Sequence, residues 1–158
     1  MSNDELGPKS IEAFTHLQVL ESEMRLTKTL SELSFDQLQI SEVNKCKLLQ
    51  VIKKFQNLRK VKISGMNLSD KKVFIDLHEL IKECNQLSSL STLDLSGTNL
   101  KSDQIVLVTG EISFNKYLQN LNLSMNFLGD KERQVLVAED PLVKKRSNKK
   151  PVFVTVND

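Results

Sequence analysis

Leucines recur along this chain in a fixed figure. In Leu90-Ser-Thr-Leu93-Asp-Leu95-Ser-Gly-Thr-Asn-Leu100 they hold relative positions 1, 4, 6 and 11. Leu93 and Leu95 alternate with polar neighbours, which predicts a short strand with both on one face. Leu90 and Leu100 fold under the strand ends into the same interior. The figure returns at Leu58, Val61 and Ile63, closing at Leu68, and at Leu118, Leu121 and Leu123, closing at Leu128. A weaker copy runs Leu30, Leu33, Phe35, closing at Ile40. The copies start at 30, 58, 90 and 118, in steps of 28, 32 and 28 residues.

Each strand copy is followed by apolar residues at helical spacing. Ser41 is placed to cap a helix carrying Val43, Cys46, Leu49, Ile52 and Phe55. Ser69-Asp70 opens one carrying Val73, Phe74, Leu77, Ile81 and Cys84, and Ser102-Asp103 one carrying Ile105, Val108 and Ile112. The extra four residues of the second repeat make about one helical turn, so they lengthen a helix without rotating its buried face. A further short helix is predicted over 131–139. Upstream, residues 1–9 read as disordered, and 10–28 as an N-terminal capping helix with Ile11, Phe14, Leu17, Leu20 and Met24 on one face. The repeats occupy 30–140 and a basic loop 141–151. Residues 152–156 form a fifth strand, with Val152, Val154 and Val156 on one side and no helix after it. One unit cannot bury its own apolar face, so the units must stack. Same-direction strands joined through helices give a parallel sheet with right-handed crossovers.

On these residues the chain resembles the leucine-rich repeat family in its long, ribonuclease-inhibitor-like form. The resemblance implies an α/β solenoid of four to five repeats, with parallel strands on the concave face and helices on the convex face. It also implies protein binding on the concave face. The residues there are Ser34 on the first strand, Arg59, Lys60 and Lys62 on the second, Thr92 and Asp94 on the third, and Gln119, Asn120 and Asn122 on the fourth. Leu93 and Leu121 are expected to carry stability and Asp94 almost none. At the ninth repeat position the family favours Asn or Cys, whose side chain satisfies turn backbone. Asn126 fits, Thr98 substitutes through its hydroxyl, and Met66 and Leu38 can only pack.

The 158 residues suffice for one domain with a core. Hydrophobic content of 39% and charged content of 27% read as a soluble globular chain. No apolar run approaches a bilayer span. The polar, acidic start, Met1 to Pro8, does not read as a secretory leader, so the expected compartment is intracellular, cytoplasmic or nuclear. Asn67-Leu-Ser69 and Asn122-Leu-Ser124 match the glycosylation acceptor pattern as products of the repeat.

Catalytic chemistry finds no constellation. His16 and His78 are far apart, and Cys46 and Cys84 fall on apolar stripes, where packing outweighs reactivity. Asp70, Asp103 and Asp130 each follow a strand turn, where helix N-termini favour acids. No catalytic residue, metal site or cofactor is assigned, and the chain is not expected to be an enzyme. It reads as a protein-binding scaffold, subunit or adaptor of a larger assembly. An alternative is a nucleic-acid-associated protein using Arg59, Lys60 and Lys62 with the basic patch Lys144, Lys145, Arg146, Lys149 and Lys150. That patch has no interleaved aromatics for base stacking. The terminal strand, lacking a following helix, is expected to leave an edge covered by a partner chain or a second copy.

Overall fold

The structure, a computed structural model, describes residues 29–84, 89–130 and 152–156. The expected capping helix, the helix over 131–139, the basic loop and His16 lie outside the described residues.

Five strands form one sheet in chain order: β1 (Glu32–Asp36), β2 (Lys60–Ser64), β3 (Thr92–Asp94), β4 (Asn120–Asn122) and β5 (Phe153–Thr155). All four pairings are parallel. The leucine figure sets the register. Leu33, Val61, Leu93, Leu121 and Val154 lie side by side across the whole sheet. The first four of these are at most 3% exposed. Phe35 pairs with Ile63 one step along, and Leu95 and Leu123 are likewise fully buried.

Three helices fill the first three crossovers: α1 (Glu42–Ile52), α2 (Lys71–Cys84) and α3 (Ser102–Ile112). Their apolar residues share one core with the inward strand residues, so all three lie on the same face of the sheet. α2 has 14 residues against 11 in each neighbour. The longer second repeat is thus absorbed mainly in its helix, and its buried stripe continues through Leu80, Ile81 and Cys84. Leu30, Ile40 and Leu128, at the outer copies, pack only partly against the core.

Caps follow the local sequence. Ser41 Oγ accepts the backbone N–H of Asn44 at 3.3 Å, and Asp70 Oδ1 accepts those of Lys72 and Val73. α3 departs from expectation: its N-cap is Lys101, not Ser102. Gln104 Oε1 accepts the Lys101 N–H at 3.0 Å, and Ser102 Oγ accepts the Gly129 N–H instead.

The stripe of α1 is also corrected. Val43 is exposed, and Lys45, Leu48, Leu49 and Ile52 form the buried face, at i, i+3, i+4 and i+7. Lys45 holds a core position because its ammonium pairs with Glu42 at 3.0 Å while its stem is buried. At the last strand, Val152 and Val156 are buried, Val154 is half-buried and Thr155 is exposed.

Each of β1 to β4 is left through a residue in the left-handed region, and these residues form a column: Gln37, Gly65, Gly97 and Met125, with φ between 52° and 64°. Glycine adopts this geometry freely. A Cβ on Gly65 would lie 2.8 Å from Gln37 Cγ and 3.2 Å from its Cα, whereas at Gly97 its nearest neighbour is 3.7 Å away. Gly97→Ala is therefore expected to cost only the backbone term, about 1–2 kcal/mol. Gly65→Ala should cost clearly more in urea unfolding; equal losses would show that the turns are not stacked this closely.

Candidate functional site

The alternation that buries the leucines puts polar side chains on the opposite face, where no described helix lies. Its central column is Ser34, Lys62, Asp94, Asn122 and Thr155, adjacent in register. A second column is Glu32, Lys60, Thr92 and Asn120. Ser34, Lys62, Thr92, Asp94 and Asn122 are half-buried; Lys60 and Asn120 are exposed. Arg59 and Gln119 precede their strands and are exposed. All the sequence-predicted residues of this face are thus gathered on or beside one surface. Thr155 was not among them, although the valine alternation at 152, 154 and 156 already implies its facing.

Several of these polar groups are tied down. Asp94 Oδ1 accepts the Ser96 N–H at 2.9 Å, and its other oxygen accepts the Asn122 amide at 3.3 Å. Asn122 Oδ1 repeats the turn by accepting the Ser124 N–H at 3.0 Å. Asp94 therefore has a structural duty, against the expectation that it has almost none. Asp36 accepts the Ser64 hydroxyl at 2.5 Å. The two Asn-Leu-Ser sequences share one use, since Asn67 Oδ1 likewise accepts the Ser69 N–H. By contrast, Arg59, Lys60 and Lys62 have no ion pair among the described residues.

The face is held level by its turns. Asn126 reaches from the last turn into the one before: Oδ1 accepts the N–H groups of Thr98 and Leu100 and the Thr98 hydroxyl, and Nδ2 donates to the carbonyls of Leu95 and Leu123. Thr98 also donates to the Leu95 carbonyl at 2.7 Å. Met66 and Leu38 are buried and apolar at the equivalent positions. There the turns rely on backbone bonds, Gln37 N–H to Ser64 and Gly65 N–H to Ser96.

Reactive groups are quenched rather than activated. Burial pushes the Cys84 thiol up to about 12. Cys46 is raised to about 11, first by burial, then by its hydrogen bond to Asp76 and the charges of Asp76, Asp70 and Glu42. His78 stacks on Phe74 with ring centres 6.0 Å apart and sits 3.3 Å from the Glu111 carboxylate. An open polar cleft of about 630 Å³ lies at the helix N-termini, lined by Glu42, Asp70, Lys71, Lys101, Asp103 and Gln104 among others. Asp70 and Gln104 there are engaged in capping. No group of three or more potential ligands is arranged for a metal among the described residues, and no described helix is long and apolar enough to cross a membrane.

No family model matches the chain, and no curated protein matches it. Among solved structures it is similar to the tropomodulin C-terminal domain from Caenorhabditis elegans. The TM-score is 0.68 at 12% identity, over 94% of this chain and 82% of that one. At this identity the likeness shows the fold alone: a mixed α/β, leucine-rich-repeat-like arrangement.

Two outcomes are expected. Asn126→Ala, which orphans several turn groups at once, should cost about 2–3 kcal/mol, and Asp94→Ala about 1 kcal/mol, by urea unfolding. Equal small losses would remove Asn126 as the hub. At pH 8 roughly one thousandth of Cys46 is thiolate, so iodoacetamide should alkylate it far more slowly than free cysteine, with the rate climbing towards pH 11. Rapid alkylation at pH 8 would contradict the raised pKa.

Proposed function

We propose that this chain is a leucine-rich repeat solenoid of the long, ribonuclease-inhibitor-like kind, with its strands concave and its helices convex. In this reading it is a protein-binding scaffold, subunit or adaptor of an intracellular assembly. One observation carries it: an all-parallel sheet with one face under helices and the other polar, in register and bare of helices among the described residues. Parallel sheets are normally covered on both faces, and a bare one invites a partner. The likeness to the tropomodulin domain supports the fold side of the reading. Two unpaired cysteines suit a reducing compartment, and their protonated thiols suit a binding protein rather than an enzyme.

Nucleic-acid association is the second reading. It rests on Arg59, Lys60 and Lys62, which have no ion pair among the described residues, together with the basic patch over 144–150, and would show as steep loss of binding with salt.

Capture from native extract tests the site. Lys60→Glu/Lys62→Glu and Thr92→Arg/Asn120→Arg should each reduce recovery of specific partners by roughly tenfold, with far-UV dichroism unchanged. A control pair on the helix side, Gln50→Arg/Lys82→Glu, should leave recovery intact. Loss with the control alone would move the interface to the helices.

A further inference from the structure

The sheet has two edge strands, and the sequence treats them differently. β1 carries Glu32 and Asp36, and charge along an edge discourages pairing with another chain. From Val152 to Val156 the other edge carries no charge, with valine at each alternate position. Its backbone is set for a further partner. In a strand the N–H and carbonyl of one residue point to the same side, and those of the next residue to the other. Leu123 N–H donates to the Thr155 carbonyl at 2.8 Å, so Thr155 faces β4. Val154 therefore turns its N–H and carbonyl outward, where no strand follows among the described residues. Val154 is also the least covered member of the inward column. It is half-buried, where Leu33, Val61, Leu93 and Leu121 are at most 3% exposed.

We propose that the β5 edge pairs with the β5 edge of a second copy of this chain, antiparallel and about a two-fold axis through Val154. The contact lies at an edge, so it stands apart from whatever the polar face binds. An axis normal to the sheet makes the paired strands antiparallel, and residues directly opposite then share a face. On the axis Val154 meets Val154 of the second copy. The two exchange both N–H···O bonds, as the hydrogen-bonded pair of an antiparallel ladder does. Val152 meets Val156 of the second copy, and Val156 meets its Val152. The inward row is thus self-complementary, valine on valine at every step, and it is this symmetry that selects a second copy over a strand of unrelated sequence. The apolar column that runs from Leu33 to Val154 then continues into the second copy. Head-to-tail pairing, β5 of one copy on β1 of the next, would use the edge that Glu32 and Asp36 guard and would grow without closing.

Sedimentation of the full chain from about 10 µM to about 1 mM tests it, the range in which so short an interface dissociates. The mass should rise from one chain towards two and no further. Hydrogen exchange followed by NMR over the same series should show the Val154 amide slowing as the dimer forms, while the Thr155 amide, which faces β4, stays protected throughout. Val154→Pro removes the outward N–H and leaves the ladder to β4, a change that edge strands tolerate. It should weaken association roughly tenfold, with far-UV dichroism and Thr155 protection kept. A monomer at every concentration overturns the proposal. So does Val154 protection that is equal at all concentrations, since the edge is then covered within one chain. Mass climbing beyond two chains overturns it in favour of head-to-tail growth. Undiminished association of a folded Val154→Pro overturns it as well, by moving the contact away from β5.

Discussion

In-register stacking of one apolar column, Leu33, Val61, Leu93, Leu121 and Val154, is the constraint on which the molecule depends. Side chains alternate along a strand, so a slip of one residue in any pairing would turn that strand's leucines outward and its polar residues into the core. Repeat length varies, yet register does not. The chain achieves this by letting the helical layer take up the difference, with α2 three residues longer than its neighbours. A helix tolerates an added turn because its buried stripe returns to the same side. A strand has no comparable freedom.

The turns show two solutions to one problem. Wherever the chain leaves a strand and bends toward a helix, backbone groups lose their ladder partners and must find others. A left-handed residue and an N–H donated to the next turn recur at Gln37, Gly65 and Gly97. Beneath that common frame, Asn126 and Thr98 supply polar contacts in the later turns, while Leu38 and Met66 supply volume in the earlier ones. The apolar version gains burial and leaves satisfaction to the backbone; the polar version fixes its neighbours by several bonds at once. Both keep successive strands level, which is what makes the opposite face regular.

Much of this was legible in the leucine spacing. The strand positions and the facing of the candidate residues within the strands follow from period-two alternation, which backbone geometry enforces, and the parallel order follows from the helices between them. The stripes of α2 and α3 followed from helical spacing for the same reason. The stripe of α1 was misplaced because hydrophobicity favoured Val43 over Lys45, and the lysine is admitted to the core only by its pairing with Glu42. Ser102 looked like a cap, but the cap of α3 is completed from Gln104, and the serine serves the following turn. The duty of Asp94 was invisible for a related reason. A turn in which a side chain mimics backbone depends on local dihedral angles, not on residue type alone.

Those internal hydrogen bonds bear on how the face can act. Asp36, Asp94 and Asn122 are held by neighbours, so their positions are set before any partner arrives, and binding would cost little side-chain entropy there. Lys60 and Lys62 are the opposite case: neither has an ion pair among the described residues. Mobile charges extend attraction outward and govern the rate of encounter, whereas fixed polar groups govern whether the final fit is accepted. The two lysines make β2 the positive strand of a face whose neighbouring strands carry Glu32, Asp36 and Asp94. The same stacking that buries the leucines thus sets out a ruled surface, on which charge is unevenly distributed from strand to strand.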